Sequence, residues 1–323
     1  MPRELPPVLE LRPYRLRLRE PLRSSLGVVE FRQGFLVLAR DGDLIGRGEA
    51  CIVPELGTES FDECALELRR PQPRTPAARH AVEQALLDLQ AQRAGLPLAR
   101  LLEPLAVLEV PASALLGARS NSELAREASR AAGEGFGTVK LKVGFADDFA
   151  RAAVVRDAAG PLLKLRLDAN GAWNAGEALR RLQELAPLKV ELCEQPTSDL
   201  LGLADAPVVI AADELVLTDF EAAPLHAQVV VLKPMLLGGL LPALRLARRA
   251  VAAGRGVIVS TSIDGAVARA GAAHLAAAVL ALGPQPAAGL GTGRFLAEDL
   301  CEDTLAPRAG VVRIPLAPGL GLP

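Results

Sequence analysis

Two periodicities divide this chain. Residues 14–20 (YRLRLRE) alternate polar and apolar, and residues 35–50 (FLVLARDGDLIGRGEA) read as two strands around an Asp41-Gly42 turn, which predicts a small antiparallel sheet at the start. From Thr75 to Leu101 apolar residues recur at helical spacing, opened by Thr75-Pro76 and stopped at Gly95. Beyond Pro111 the rhythm becomes short β-rich runs, each followed by an Ala/Leu/Arg-rich amphipathic stretch, the alternation of a parallel sheet. Eight such runs are predicted: 112–117, 138–144, 163–170, 190–196, 208–214, 229–234, 256–262 and 287–293. Eight is the number that closes a (β/α) barrel, whose active site lies at the C-terminal ends of the strands. A short or degenerate helix is expected over Thr218 to Leu225. The Pro/Gly-rich end of the chain is expected to wrap back on its beginning, giving an N-terminal α+β region over 1–108, a barrel over 109–293 and a returning segment over 294–323.

Composition narrows the function classes. Half of the 323 residues are hydrophobic and the net charge is −2, so neither a nucleic acid nor a membrane surface is an implied partner. The longest apolar run, Ala272 to Leu282 with His274 inside it, falls short of the roughly 20 residues that a membrane span needs. Cys51, Cys64, Cys193 and Cys301 are scattered without a CxxC pair, and MPRELPPVLELRPYRLRLRE lacks the apolar core of a signal peptide. A cytoplasmic protein is the expectation. His80, His226 and His274 fall away from strand ends and read as structural. Cys193, out of phase with Glu194, should face the helices, and Trp173 should be buried beside the strand ends.

Lysine usage points to chemistry. Only five of the thirty-six Lys and Arg residues are lysines, and Lys140, Lys142 and Lys233 stand where an apolar strand runs out. Arg never deprotonates in a protein, whereas a partly desolvated Lys can act as a base. Lys140 and Lys142 are two apart on one strand and share a face, so their like charges should pull a lysine down toward a range useful for a base. Lys164 and Lys189 precede their strands' apolar cores and belong at the opposite end. Asp168, Glu194 and Asp213 end the next three strands, the first preceded by Arg166. Three singly supplied carboxylates are hard oxygen ligands that suit Mg²⁺ better than Zn²⁺. Such a metal with ammonium groups on two sides describes proton abstraction α to a carboxylate.

The segments KLKVG (140–144), RLDANGAW (166–173), CEQP (193–196), ADE (212–214) and LKP (232–234) resemble those of the enolase superfamily, muconate-lactonizing subgroup. The resemblance implies a modified (β/α)7β TIM-type barrel with an α+β capping domain formed by the N-terminus and the C-terminal tail. It makes Asp168, Glu194 and Asp213 ligands of Mg²⁺, with Mn²⁺ a possible substitute. Lys142 and Lys233 become the acid/base lysines, and Lys140 the neighbour that tunes Lys142. Within the subgroup the chain most resembles the o-succinylbenzoate synthases, through its short length, Arg166 and the segments STSIDG (260–265) and GLGTG (289–293). That implies dehydration of a succinyl-hydroxycyclohexadiene carboxylate in menaquinone biosynthesis. The capping segment 21–34, with Ser24, Ser25 and Arg32, would cover the succinyl arm, although those side chains could equally be solvated. Ser262, Gly289 and Gly291 would bind the far carboxylate. Arg166, Asn170 and Ser25 complete the expected substrate shell. A dipeptide epimerase would carry Asp-x-Asp where Gly289-Leu290-Gly291 stands. An N-acylamino-acid racemase, a muconate-type cycloisomerase and a metal-dependent small-molecule binder remain rivals, and oligomeric state is not legible.

Overall fold

The computed structural model describes residues 7–24, 27–117, 120–218 and 226–323. The alternating start forms β1 (Val8–Ser24), paired antiparallel with β2 (Gly27–Asp41), which pairs in turn with β3 (Leu44–Ile52). Gly42 turns the second hairpin at a φ of +56°, which glycine adopts without a Cβ penalty. Of segment 21–34, expected as a covering loop, residues 21–24 and 27–34 are instead paired strand ends, with Leu22 opposite Val29 and Ser24 opposite Gly27. Ser25 lies outside the described residues.

α1 (Phe61–Glu67) and α2 (Pro76–Ala94) cover this sheet. α2 begins after Thr75 with Pro76 in its first turn and ends at Gly95 in the left-handed region, as the sequence predicted. Gly46 and Gly48 let it lie directly on β3: a Cβ at either would collide with the helix carbonyls of Ala85 and Ala81. α3 (Leu98–Leu102) and β4 (Glu109–Pro111) lead into the second body.

That body is a curled, seven-stranded parallel sheet: β5 (Ala114–Leu116), β6 (Thr138–Lys142), β7 (Lys164–Asp168), β8 (Val190–Glu194), β9 (Val209–Ala212), β10 (Val229–Leu232) and β11 (Gly256–Val259), neighbours in space as in sequence. Between the strands lie α4 (Asn121–Gly133), α5 (Asp148–Ala159), α6 (Ala175–Leu185), α7 (Glu214–Thr218), α8 (Pro234–Leu237) and α9 (Leu240–Ala252), and α10 (Ala266–Leu280) follows β11. Of the helix expected over Thr218 to Leu225, residues 219–225 lie outside the described residues. The eighth strand is reduced to two bridges, Ala288 to Ala112 and Gly289 to Ser260, which touch the two edges of the sheet. It stops there because Gly291–Phe295 winds into a 3-10 turn.

Strand side chains divide by phase. Val139, Leu141, Leu165, Leu167, Cys193, Ile210 and Val230 join the large core with the helices, so Cys193 packs outward as expected. The opposite phase carries Leu192, Ala211, Val229, Val231 and Ile258, a separate apolar cluster, and above it the charged residues of the strand ends. The end of the chain returns to its start. Leu296 bridges Leu18, Leu320 donates its amide to Asp88 at 2.7 Å, and β12 (Val311–Arg313) pairs with β4. Among the described residues no helix is long and apolar enough to cross a membrane.

Candidate active site

The parallel register decides which side chains meet. Lys140 pairs with Arg166, Lys142 with Asp168, and Asp168 with Glu194, so lysine and carboxylate strands end level with one another. Asp213 follows β9 by one residue and Lys233 follows β10 by one. All six, with Arg166, Asn170, Ser262, Gly289 and Gly291, line one cavity of about 200 Å³. The structure therefore brings together every expected site residue except Ser25.

Charge is closely balanced there. Lys140 Nζ lies 2.9 Å from both Asp168 Oδ2 and Glu194 Oε1, and Lys233 Nζ lies 2.5 Å from Asp213 Oδ2. Lys142 is the least engaged, 3.8 Å from Asp168 with a side chain 42% exposed. Burial alone would lower Lys140, but Asp168, Glu194 and Asp213 outweigh it and hold the ammonium above its usual value. The expected downward pull of a like-charged neighbour thus fails for Lys140, because three carboxylates are closer to it in effect than one lysine. Burial lowers Lys233 too, and Asp213 and Glu194 reverse the sign. Burial raises Asp168, yet Lys140 and Lys142 bring it down to about 2. Glu194 is pushed up to about 7, chiefly by burial and by its acidic neighbours Asp168 and Asp213, against Lys140.

Asp168, Glu194 and Asp213 are each buried and each supplied by a different strand end, a donor set suited to a hard dication. As placed, their oxygens are turned onto ammonium groups, and among the described residues no three His, Cys, Asp or Glu side chains converge to hold a metal ion. Lys140 bridges the first two carboxylates at the position where a cation between them would compete with it.

The expected substrate shell changes in detail. Arg166 is fully buried, with Nε 2.6 Å from Glu191 and one terminal nitrogen on the carbonyl of Ala287, while its other terminal nitrogen is buried without a protein partner. Asn170 reaches Glu214 rather than the cavity centre. The Gly289 amide donates to Val259 and its carbonyl accepts from Ser260 and Thr261, which leaves it no free backbone donor for a far carboxylate. Ser262 lines the cavity and is buried, with an Oγ that has no protein partner. His80 and His274 bond backbone atoms in the core, and Trp173 is buried under Arg181.

Sequence reading undervalued three features. Arg32, weighed as a loop residue, is buried on β2, paired with Glu55, and lines the cavity. Glu49, a lone charge in the run EACIV, is buried on β3 and accepts from Tyr14 Oη, Gly265 N and Ala268 N at 2.6–2.8 Å. Burial and Asp264 push its carboxyl up to about 7. It ties the first sheet to the start of α10. Ile263, at the cavity wall, has a φ of +62°, a conformation that costs a β-branched residue about 1–3 kcal/mol.

Acidic and lysine groups are thus gathered at the ends of parallel strands, under an antiparallel sheet, and comparison assigns the lineage. The enolase C-terminal domain-like family model matches residues 123–323, and the chain belongs to that family within the enolase superfamily. It is 38% identical to an o-succinylbenzoate synthase of Thermobifida fusca over 222 residues, 64% of this chain and 66% of that one, just under two thirds of its length. It is 30% identical to a hydrophobic dipeptide epimerase of Enterococcus faecalis over 306 residues, 84% and 86% of the two chains. A crystal structure of the dipeptide epimerase from Enterococcus faecalis, complexed with Mg and the dipeptide L-Leu-L-Tyr, superposes with a TM-score of 0.86 at 26% identity, over 97% of this chain and 98% of that one.

Proposed function

We propose that the chain is a Mg²⁺-dependent lyase that dehydrates 2-succinyl-6-hydroxy-2,4-cyclohexadiene-1-carboxylate to o-succinylbenzoate. The curled sheet with its Ala288–Gly289 closure is read as the (β/α)7β barrel, and the first sheet with the returning tail as the capping domain. The observation that carries the reading is the inequality of the lysines. Lys140 and Lys233 are locked in short ion pairs, while Lys142 faces the same cavity with one carboxylate at 3.8 Å. Glycines at 289 and 291, where an epimerase would carry acids, and the similarity to a synthase over 222 residues support the same choice.

Lys142 Nζ, as the free amine, takes the proton α to the substrate carboxylate. The same ammonium then returns a proton to the departing hydroxyl on that face, so that one C–H and one C–O bond break and water leaves. Lys233, kept protonated by Asp213, sets a positive charge beside the developing enediolate. Lys140 holds Asp168 and Glu194 in place. Mg²⁺ on Asp168, Glu194 and Asp213 would supply charge that stabilises the dianion as it forms; Mn²⁺ is a candidate substitute, since oxygen ligands suit it too.

A second reading, an N-acylamino-acid racemase or dipeptide epimerase, is favoured by one observation. Two lysines on opposite sides of one cavity are what two-base racemisation needs, and an epimerase relative spans most of the chain. Lys142→Arg keeps charge but removes the titratable base. Turnover of the cyclohexadiene, followed by absorbance, should fall by about 10²–10⁴-fold or more while Mg²⁺ binding persists. Near-normal turnover by this variant sinks the assignment. Racemisation of N-succinylamino acids without dehydration moves it to the second reading, and tight ligand binding without turnover by the parent leaves a binding protein.

A further inference from the structure

Ile263 holds a backbone conformation that glycine or asparagine would adopt at far lower cost, and it does so at the cavity wall. Strain of this kind persists only where the surroundings over-determine it. They do so here from three parts of the chain. Ser262 N donates to Asp264 Oδ2 at 3.3 Å, and Arg269 donates to the Asp264 carbonyl. Gly265 N and Ala268 N donate to Glu49 at 2.6 and 2.8 Å, and Ala266 N donates to Asp299 at 2.7 Å. Gly265 is required for that approach, since a Cβ there would lie 2.7 Å from Glu49 Oε1. Arg269 is itself buried between Asp299 and Asp303.

The turn so fixed aims one apolar side chain. Ile263 packs on its outer side against the cluster of Leu16, Leu18 and Leu296, and on its inner side it lines the cavity with Leu56, Leu115 and Ile258. The rest of the wall is polar: the lysines and carboxylates, Arg32 and Arg166, and the hydroxyls of Ser113, Thr261 and Ser262 among others. About 200 Å³ is small beside the roughly 300–1,000 Å³ of ordinary ligand sites, so each methyl group of the wall alters what can enter.

We propose that Ile263 is a specificity-determining residue of this site: a sterically locked apolar stop that admits a small or flat apolar arm on the substrate carboxylate and rejects a bulky one. This rests on the carboxylate-substrate reading above, and the test separates the two. Full-length parent, Ile263→Gly, Ile263→Asn and Ile263→Val are compared with Mg²⁺ present. The probes are the cyclohexadiene substrate and N-succinyl derivatives of glycine, valine and phenylalanine. Binding is read by thermal shift, and kcat and KM wherever turnover occurs.

Ile263→Gly, freed of strain and of the stop, should keep or raise its thermal midpoint while shifting preference toward the phenylalanine derivative by about tenfold or more, through KM. Ile263→Asn should keep its midpoint and lose affinity for apolar arms. Ile263→Val, still strained, should shift preference toward the phenylalanine derivative, as Ile263→Gly does, but by less. A uniform loss across all ligands with a lowered midpoint overturns the inference, because that is what a merely structural residue gives. A changed preference in binding without turnover by the parent overturns the proposed reaction and leaves the inference standing. Binding of no member of the panel overturns both.

Discussion

Lys140→Met removes an ammonium while keeping most of the side-chain volume, and its effect can be worked from the ion pairs. Lys140 lies 2.9 Å from both Asp168 and Glu194, whose side chains are only 6% and 2% exposed. Taking one partner from a buried charge cluster costs about 3–5 kcal/mol, because the remaining charges lose compensation. Unfolding entropy of about 2.1 cal/mol/K per residue over the 323-residue chain converts this to a fall of about 4–7 °C in thermal midpoint. That fall applies to metal-free protein in EDTA. In Mg²⁺ the order of effects should invert: the parent must displace an ammonium to bind a dication between these carboxylates, and the variant need not. At a free Mg²⁺ concentration one hundred times Kd the variant should regain about 2.7 kcal/mol, and its Mg²⁺-induced shift should exceed the parent's. Calorimetric melts of both proteins, in EDTA and over a Mg²⁺ series, read both quantities. A midpoint within about 1 °C of the parent in EDTA, or a smaller Mg²⁺ shift in the variant, refutes the assignment of Lys140 as the countercharge of the carboxylate site.

Two further outcomes follow from burial. His80 and His274 are lowered to about 4 by burial, against weaker support from their backbone partners, so their ring NMR signals should titrate near pH 4 rather than near 6.5. Because the folded values lie below the unfolded one, their contribution of about 3 kcal/mol each is present above pH 6.5 and is lost as pH falls toward 4; ring titrations near 6.5 would contradict the packing. Burial raises the thiols of Cys51, Cys64 and Cys193 well above their usual range and moves Cys301 up to about 11, so a thiol reagent at pH 8 should label at most Cys301, slowly, until denaturant is added. Rapid labelling of two or more native thiols would refute the buried placement.

Much of the fold was legible because its signals are local. The Asp41-Gly42 turn, the Thr75-Pro76 start and Gly95 stop of α2, and the seven parallel strands each rest on neighbouring residues whose backbone preferences agree with their final state. The eighth strand was over-read, since GLGTG carries no side-chain pattern to say where extended backbone gives way to a 3-10 turn. The paired strand ends within 21–34 were under-read, because their partner lies across a hairpin and not in their own periodicity.

The same division runs through the site. Sequence alone determined which strands end in carboxylates and lysines, since a two-residue period fixes which side chains share a face. It therefore determined that Lys140, Lys142, Asp168, Glu194, Asp213 and Lys233 would meet. Only the tertiary structure decided how charge is distributed among them. Coulombic and desolvation effects depend on distance and burial in three dimensions, and these placed two carboxylates on Lys140, one on Lys233, and left Lys142 the loosest. It alone decided that Glu49 on β3, more than two hundred residues before Gly265, would reach across to pin the turn that carries Ile263.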